Sequence, residues 1–121
     1  MSRKKTKRND IPYRVRRVIA FNTRRELVKR FPDCFIEKGL PKIPLKVGIF
    51  DDLMAVASDI PEAWLRIALC DYTYGPTYLR ALLFGASRID LAGRVVSSVS
   101  AIAEEGAIEK MKQYPWLKLA A

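Results

Sequence analysis

The spacing of apolar residues along the chain predicts a series of amphipathic helices, because in several segments an apolar residue recurs every three or four positions. The first predicted helix begins at a capping box, in which Thr23 is followed three residues later by Glu26, and it ends near "FPDCF". The second lies in "LKVGIFDDLMAVASD", and its apolar stripe consists of Val47, Phe50, Leu53, Met54 and Ala57. The third, "PEAWLRIALCDY", has Pro61 at its first position, and its stripe consists of Trp64, Leu65, Ala68, Leu69 and Tyr72. These stripes predict a mainly helical core.

The C-terminal half continues the helical pattern with one interruption. "GPTYLRALLFG" predicts a helix that begins at Pro76, stops at Gly85 and has a core side of Leu79, Leu82 and Leu83. "RIDLAGRVV" predicts a short hairpin that turns at Ala92 and Gly93. The last segment predicts a helix with an apolar side of Val99, Ile102, Ala103 and Met111, weakened by Gly106. We therefore expect an α+β fold, a mainly helical single domain with a small β-hairpin.

Positive charge is concentrated at the N-terminal end of the chain. Residues 1–30 carry 12 Lys and Arg against two acidic residues, whereas residues 31–121 carry 10 against 11, and the net charge is +9. A basic segment ahead of a nearly neutral domain is typical of polyanion binding, most often of nucleic acid, although a purely solubilising tail fits the charge nearly as well. We expect residues 1–20 to form a largely disordered basic arm and residues 21–121 to form the domain.

The composition argues against several classes of function. The chain has no histidine, so it offers no imidazole base and no Cys/His zinc site, and its two cysteines lack C-x-x-C spacing. The adjacent carboxylates Asp51 and Asp52, and Glu104 and Glu105, point to different sides of a helix and do not converge on one substrate atom. We therefore expect no enzyme activity, no metal, no cofactor and no small-molecule substrate.

The chain also shows no membrane or secretion signal. No apolar run approaches 18 residues, and the charged N-terminus is not followed by an apolar segment. We expect a cytoplasmic protein that is a monomer.

The segment "CDYTYGPTYLR" offers candidate chemistry at the start of a predicted helix. Free backbone N–H groups at a helix N-terminus attract anionic oxygens, and the hydroxyls of Thr73 and Thr77 stand beside them. Gly75 would allow close approach of a ligand backbone, and the ring of Tyr78 could stack on a base. In the alternative interpretation Thr73 only caps the helix, "GP" is an ordinary turn and the tyrosines belong to the core. That alternative is favoured for Tyr72 and stays open for Tyr78.

Four segments, "FPDCF", "PLKVGIFDDL", "LRIALCDYT" and "YLRALLFGASRIDLAG", resemble in this order the ProQ/FinO family of bacterial RNA chaperones. The resemblance runs from about Leu27 to Ala107. It implies recognition of structured RNA, typically the base of a terminator hairpin with its 3′ single-stranded uridine tail. It also implies a role in post-transcriptional regulation through small or antisense RNAs.

The resemblance assigns RNA contacts residue by residue. It implies basic contacts on a concave face, a pocket for the terminal nucleotide and a tyrosine at the 3′ end; the residues are Lys46, Arg66, Thr73, Gly75, Thr77, Tyr78, Arg80 and Arg88. Arg80 is expected to make only a supporting phosphate contact. The chain departs from some relatives at Cys70, where they carry a second arginine, and at Glu62, where they can carry lysine.

A DNA-binding alternative rests on the same segments. "PEAWLRIALCDYTYGPTYLRALLFG" has the order helix, short turn, helix, which superficially resembles a helix-turn-helix with Arg80 on its second helix. That interpretation predicts a short second helix and leaves the hairpin with Arg88 unexplained.

Overall fold

The computed structural model describes residues 10–114. These residues form five helices and one two-stranded antiparallel sheet, which confirms the predicted α+β class with its small hairpin. In chain order the elements are α1 (Tyr13–Arg30), α2 (Ile49–Val56), α3 (Glu62–Thr73), α4 (Pro76–Leu79), β1 (Ser87–Ile89), β2 (Val95–Ser98) and α5 (Ala101–Met111).

Helix α1 begins ten residues before the predicted capping box, which corrects that prediction. Its N-terminal flanking residue is Pro12, and Thr23 lies in the middle of the helix, where it is buried. The residues that α1 buries form one stripe: Ile19, Ala20, Thr23 and Leu27. Residues 13–20, which the charge pattern assigned to the disordered arm, are therefore helical. Residues 1–9 of the predicted arm lie outside the described residues.

Helix α3 lies at the centre of the core. Its buried residues are Leu65, Ile67, Ala68, Leu69 and Tyr72, which include four of the five predicted stripe positions. The fifth, Trp64, is 43% exposed. One side of α3 packs on α1, and an ion pair of 2.7 Å between Arg24 and Asp71 joins the two helices. The other side packs on α2 through Leu53, which is fully buried.

Helix α4 is shorter than predicted. It ends at Leu79, one turn after it begins, and the chain then passes through turns to Gly85, which has a φ of +84°. Leu79 is buried and Leu82 packs partly against the core, but Leu83 is 59% exposed. The prediction of a helix as far as Gly85 is therefore wrong. Of its three predicted core leucines, only Leu79 is completely buried, so packing does not require the helix to continue.

Two further apolar positions differ from prediction. Val47 is 75% exposed because it precedes α2 and the left-handed Gly48, so the buried residue at the start of that helix is Ile49. Ile102 is 82% exposed on α5, whose described buried residue is Ala107. The side chain of Ser100 caps α5 by accepting a hydrogen bond from the N–H of Ala103 at 3.1 Å.

The predicted hairpin is present and is attached to the chain segment before α2. Arg88 pairs with Ser97, and a bulge follows between Arg88 and Ile89. Beyond the hairpin, Ile89 pairs with Leu45, and the N–H of Lys46 donates to the carbonyl of Ile89 at 2.8 Å. This link brings the segment before α2 beside β1.

Candidate nucleic-acid interface

The backbone of Leu45 joins two of the predicted RNA-contacting residues. Its N–H donates to the hydroxyl of Tyr78 at 3.0 Å, and its carbonyl accepts from the guanidinium of Arg88 at 2.7 Å. Lys46 follows directly in the chain. The structure therefore brings Lys46, Tyr78 and Arg88 together around one peptide segment, although they come from three separate parts of the sequence.

Lys46 is positioned by an acidic partner. Its ammonium forms an ion pair of 2.8 Å with Asp52 in the first turn of α2, and 39% of its side chain is exposed. An exposed pair of this kind is weak, so the ammonium can exchange the carboxylate for a phosphate at little cost. The position therefore suits the predicted phosphate contact.

Arg66 lies on the exposed side of α3. Its guanidinium stacks 4.4 Å from the centre of the Phe50 ring and pairs with Glu62 at 3.0 Å, and 56% of its side chain is exposed. The stacking fixes the plane of the guanidinium, and Glu62 neutralises part of its charge. Arg66 is therefore oriented for an anionic ligand beside a competing carboxylate of its own helix.

Tyr78 does not present its ring to solvent. The residue is 5% exposed and its ring lies 5.8 Å from that of Tyr72 in the main core. Burial raises the pKa of Tyr78, an effect that the hydrogen bond from Leu45 and the charge of Arg88 partly offset. Of the two interpretations left open for Tyr78, burial favours the core position, in which the ring is not exposed for stacking on a base. Tyr78 instead holds Leu45, and through that peptide the position of Arg88.

The hydroxyls of Thr73 and Thr77 do not lie together at the start of α4 in the way that the sequence suggested. Thr73 belongs to the last turn of α3, where its hydroxyl donates to the carbonyl of Leu69 at 2.8 Å, so it does not cap α4. The N-cap of α4 is Gly75, whose φ of −73° is accessible to any residue. Thr77 lies in α4 and is partly buried. A single turn of helix supplies a weaker dipole than the helix that was predicted from Pro76 to Gly85.

Arg80 is exposed and follows α4 directly. The helix-turn-helix alternative needs a second helix that can lie in the major groove, but α4 is only four residues, about 6 Å, long. The structure therefore rules out Arg80 as a residue of a recognition helix.

The sequence reasoning missed two basic residues, Arg16 and Arg17. Because α1 begins at Tyr13, both arginines lie beside α3 and line a groove with Cys70 and Tyr74. The signal that was available is the spacing of four between Ile19, Thr23 and Leu27, which extends α1 towards the N-terminus.

Buried Lys42 is a structural cation. Its ammonium donates to the carbonyls of Glu37 and Leu40 at 2.6 and 2.7 Å, and the residue is 5% exposed. Burial lowers the pKa of Lys42. It therefore closes the loop before Pro44 and offers no charge to a ligand.

Within residues 10–114 no three acidic or cysteine side chains converge where a metal ion could bind, and no helix has the length and apolarity needed to cross a membrane. Among the predicted site residues, Lys46, Tyr78 and Arg88 meet around Leu45 and Arg66 is exposed on α3, and their contacts with RNA stay predictions.

The sequence matches the model of the ProQ/FINO family over residues 20–116. Among curated proteins it is similar to the RNA chaperone ProQ of Idiomarina loihiensis, with 40% identity over 90 residues, which are 72% of this chain and 43% of that protein. It is also similar to the RNA chaperone ProQ of Aliivibrio fischeri, with 47% identity over 70 residues, 55% of this chain and 33% of that protein. The chain therefore spans less than half the length of these relatives.

Two solved structures have a similar fold. The solution structure of a ProQ homologue from Legionella pneumophila superposes with a TM-score of 0.67 at 25% identity, and the match covers 94% of this chain and 92% of that one. The crystal structure of a FinO-like RNA chaperone from Neisseria meningitidis gives a TM-score of 0.64 at 22% identity, over 87% and 84% of the two chains. The second likeness concerns the fold alone.

Proposed function

The chain belongs to the ProQ/FinO family, and on that basis we propose that it is an RNA-binding chaperone, not an enzyme, that acts in the cytoplasm as a monomer. Its ligand is a structured RNA, a hairpin that ends in a 3′ single-stranded tail, as in a transcription terminator. Its role is post-transcriptional regulation through small or antisense RNAs.

The observation that carries this proposal is the cluster of Lys46, Tyr78 and Arg88 around the peptide of Leu45. The peptide fixes Arg88 by a charge-assisted hydrogen bond, and Lys46 stands next to it with a partly exposed ammonium. These two cations come from "PLKVG" and "ASRIDL", the segments that also carry the family resemblance. A pair of preorganised cations suits the phosphates at the end of an RNA strand.

Arg66 extends the same chemistry along α3. Its guanidinium is held flat against Phe50 and is more than half exposed, so it can contact a phosphate or stack on a base. In this proposal Thr73, Gly75, Thr77 and Arg80 lie at the edge of the site and make secondary contacts, whereas Tyr78 acts from the core by holding Leu45.

The experiment compares RNA hairpins that differ only at the 3′ end. A hairpin with a uridine tail and a free 3′ hydroxyl should bind more tightly than the same RNA with a 3′ phosphate. Arg88→Ala should weaken binding and reduce that difference, while Arg94→Ala, at an exposed position next to β2, serves as the matched control. Equal binding of the two RNAs by the unmodified protein would contradict recognition of the 3′ end.

A further inference from the structure

A groove lies between the first turns of α1, the end of α3 and the chain after α5. It has a volume of about 520 Å³, within the usual range of small-ligand sites. The residues that matter to its chemistry are Tyr13, Arg16, Arg17, Cys70, Tyr74 and Tyr114. We call it the α1–α3 groove.

The groove adjoins the exposed side of α3 that carries Arg66. Cys70 follows Arg66 by four residues and therefore lies on the same side of the helix, one turn further on. Since Cys70 lines the groove, the groove begins about one helical turn from Arg66. The groove is thus an extension of the candidate interface.

The groove carries positive charge with an unused donor. The Nε atom of Arg16 is buried and has no hydrogen-bond partner among the described residues, while its guanidinium lies 5.7 Å from the centre of the Tyr13 ring. Asp71 also lines the groove, but its carboxylate is paired with Arg24 at 2.7 Å. An unpaired buried donor is costly, and a small shift of the Arg16 side chain that brings Nε to an anionic acceptor in the groove would offset that cost.

Aromatic side chains line the same groove as these arginines. Tyr74 is 51% exposed, and the ammonium of Lys110 lies 4.8 Å from the centre of its ring. The hydroxyl of Tyr114 donates to the carbonyl of Tyr74 at 3.0 Å and so ties the chain after α5 to the end of α3. Cations interleaved with exposed aromatic rings suit unpaired nucleotides, whose bases can stack while their phosphates meet the arginines.

We propose that the α1–α3 groove binds a single-stranded segment of the RNA that flanks the hairpin stem, with Arg16 and Arg17 contacting its phosphates and Tyr74 stacking on a base. This inference rests on the proposed function, since it assumes that the ligand is RNA. It gives helix α1, which extends beyond the start of the family match at residue 20, a direct part in recognition.

The test uses two double variants of equal charge. Arg16→Ala/Arg17→Ala removes the groove cations, and Arg14→Ala/Arg25→Ala removes two exposed cations of the same helix that do not line the groove. Each is titrated with a blunt hairpin, with the hairpin plus a 3′ tail, and with the hairpin plus a 5′ flank. Circular dichroism and urea unfolding establish that each variant folds.

The groove variant should bind a flanked hairpin roughly tenfold more weakly than the control variant does, and the two should bind the blunt hairpin equally. For the flanked RNA, a plot of the logarithm of the binding constant against the logarithm of the salt concentration should be less steep for the groove variant than for the unmodified protein. The slopes should differ by roughly 1.4, because two phosphate contacts are lost. Tyr74→Leu leaves in place the backbone carbonyl that accepts from Tyr114. It should weaken binding of the flanked RNA at least about fivefold. The flank that shows the effect, 5′ or 3′, identifies the strand in the groove.

The inference would be overturned if the two double variants lost the same affinity for the flanked hairpin, or if the groove variant lost as much affinity for the blunt hairpin. Either result would leave the proposed function standing. Competition by an acidic peptide as effective as that by the flanked RNA would overturn it in favour of a protein ligand. If the unmodified protein does not prefer a tailed RNA hairpin over DNA, the proposed function fails first, whatever the variants show.

Discussion

The N–H of Leu45 donates a hydrogen bond of 3.0 Å to the hydroxyl of Tyr78, across 33 positions of the chain. Both residues are buried, so this bond is shielded from water, and the carbonyl of the same leucine holds Arg88. The position of a cation of the interface therefore depends on a tyrosine that a ligand cannot reach.

Replacing Tyr78 by Phe should separate this positioning role from packing. The change leaves the N–H of Leu45 buried without a partner, which costs about 1–3 kcal/mol, whereas Tyr78→Ala adds a cavity and should cost about 3–5 kcal/mol. Urea unfolding measures both. RNA binding by folded Tyr78→Phe should fall because Arg88 is held less firmly; a variant that is destabilised but binds RNA normally would contradict the positioning role.

Glu62 is expected to restrain RNA binding, because it pairs with Arg66 at 3.0 Å. Glu62→Gln should therefore strengthen RNA binding. It should also make the affinity fall more steeply with salt concentration, by the amount expected for roughly one additional phosphate contact. The matched control is Glu109→Gln, which removes the same charge from the exposed pair with Lys112 on α5. Titrations at several salt concentrations measure both variants, and an equal gain in the two would mean that only net charge matters.

The stability of the domain should decrease at alkaline pH. Burial raises the pKa of the Cys34 thiol and of the Tyr72 hydroxyl to about 12, and it also raises the pKa of Tyr78. The folded state keeps these protons longer than the unfolded chain does, so stability is complete below the ordinary pKa values of 9.0 and 10.0 and is lost as the pH rises towards 12.

Urea midpoints measured between about pH 8 and pH 11 test this expectation. Tyr72→Phe should be less stable than the unmodified protein at the lower pH, because its hydroxyl accepts a hydrogen bond from Ile36, but it should lose less stability as the pH rises. Burial lowers the pKa of Lys42, so this residue makes stability rise with pH. Its contribution is the same in both proteins and cancels in the comparison. Parallel pH curves for the two would contradict the role of Tyr72.

Two glycines should respond oppositely to alanine. At Gly93, in the hairpin turn, φ is +82° and an added Cβ would lie 2.8 Å from the Cβ of Asp33, so Gly93→Ala should cost more than the roughly 1–3 kcal/mol of backbone strain. At Gly106 in α5 no atom lies within 4 Å of an added Cβ, and the change should stabilise the helix by about 1 kcal/mol. Thermal unfolding measures both, and an unchanged midpoint for Gly93→Ala would refute the close packing at Asp33.

The sequence was sufficient for the fold class, the hairpin and most of α3, because those features follow from local patterns. The stripe of α3 is set by burial on both sides, and the turn at Gly93 by its left-handed backbone. The start of α1 was misplaced because Thr23 and Glu26 fit a capping box, while packing of Ile19 on Ile67 carries the helix further. Local capping signals yielded to tertiary contacts.

The site was predictable only in part. Lys46 and Arg88 were identified through the resemblance, but their meeting at Leu45 depends on the pairing of Leu45 with Ile89, which no local pattern encodes. The residues alone left Tyr78 open between the core and the ligand, and the family resemblance assigned it to the 3′ end of the RNA. The structure buries Tyr78 and leaves Leu83 exposed instead.

Competition between RNA and DNA tests the central claim most directly. A labelled RNA hairpin with a 3′ uridine tail is bound at moderate salt and challenged with the same hairpin without its tail, and with duplex DNA of equal length. Neither competitor should displace the labelled hairpin at equal concentration. If the DNA duplex displaces it as effectively as unlabelled tailed hairpin does, recognition of a tailed RNA hairpin is contradicted.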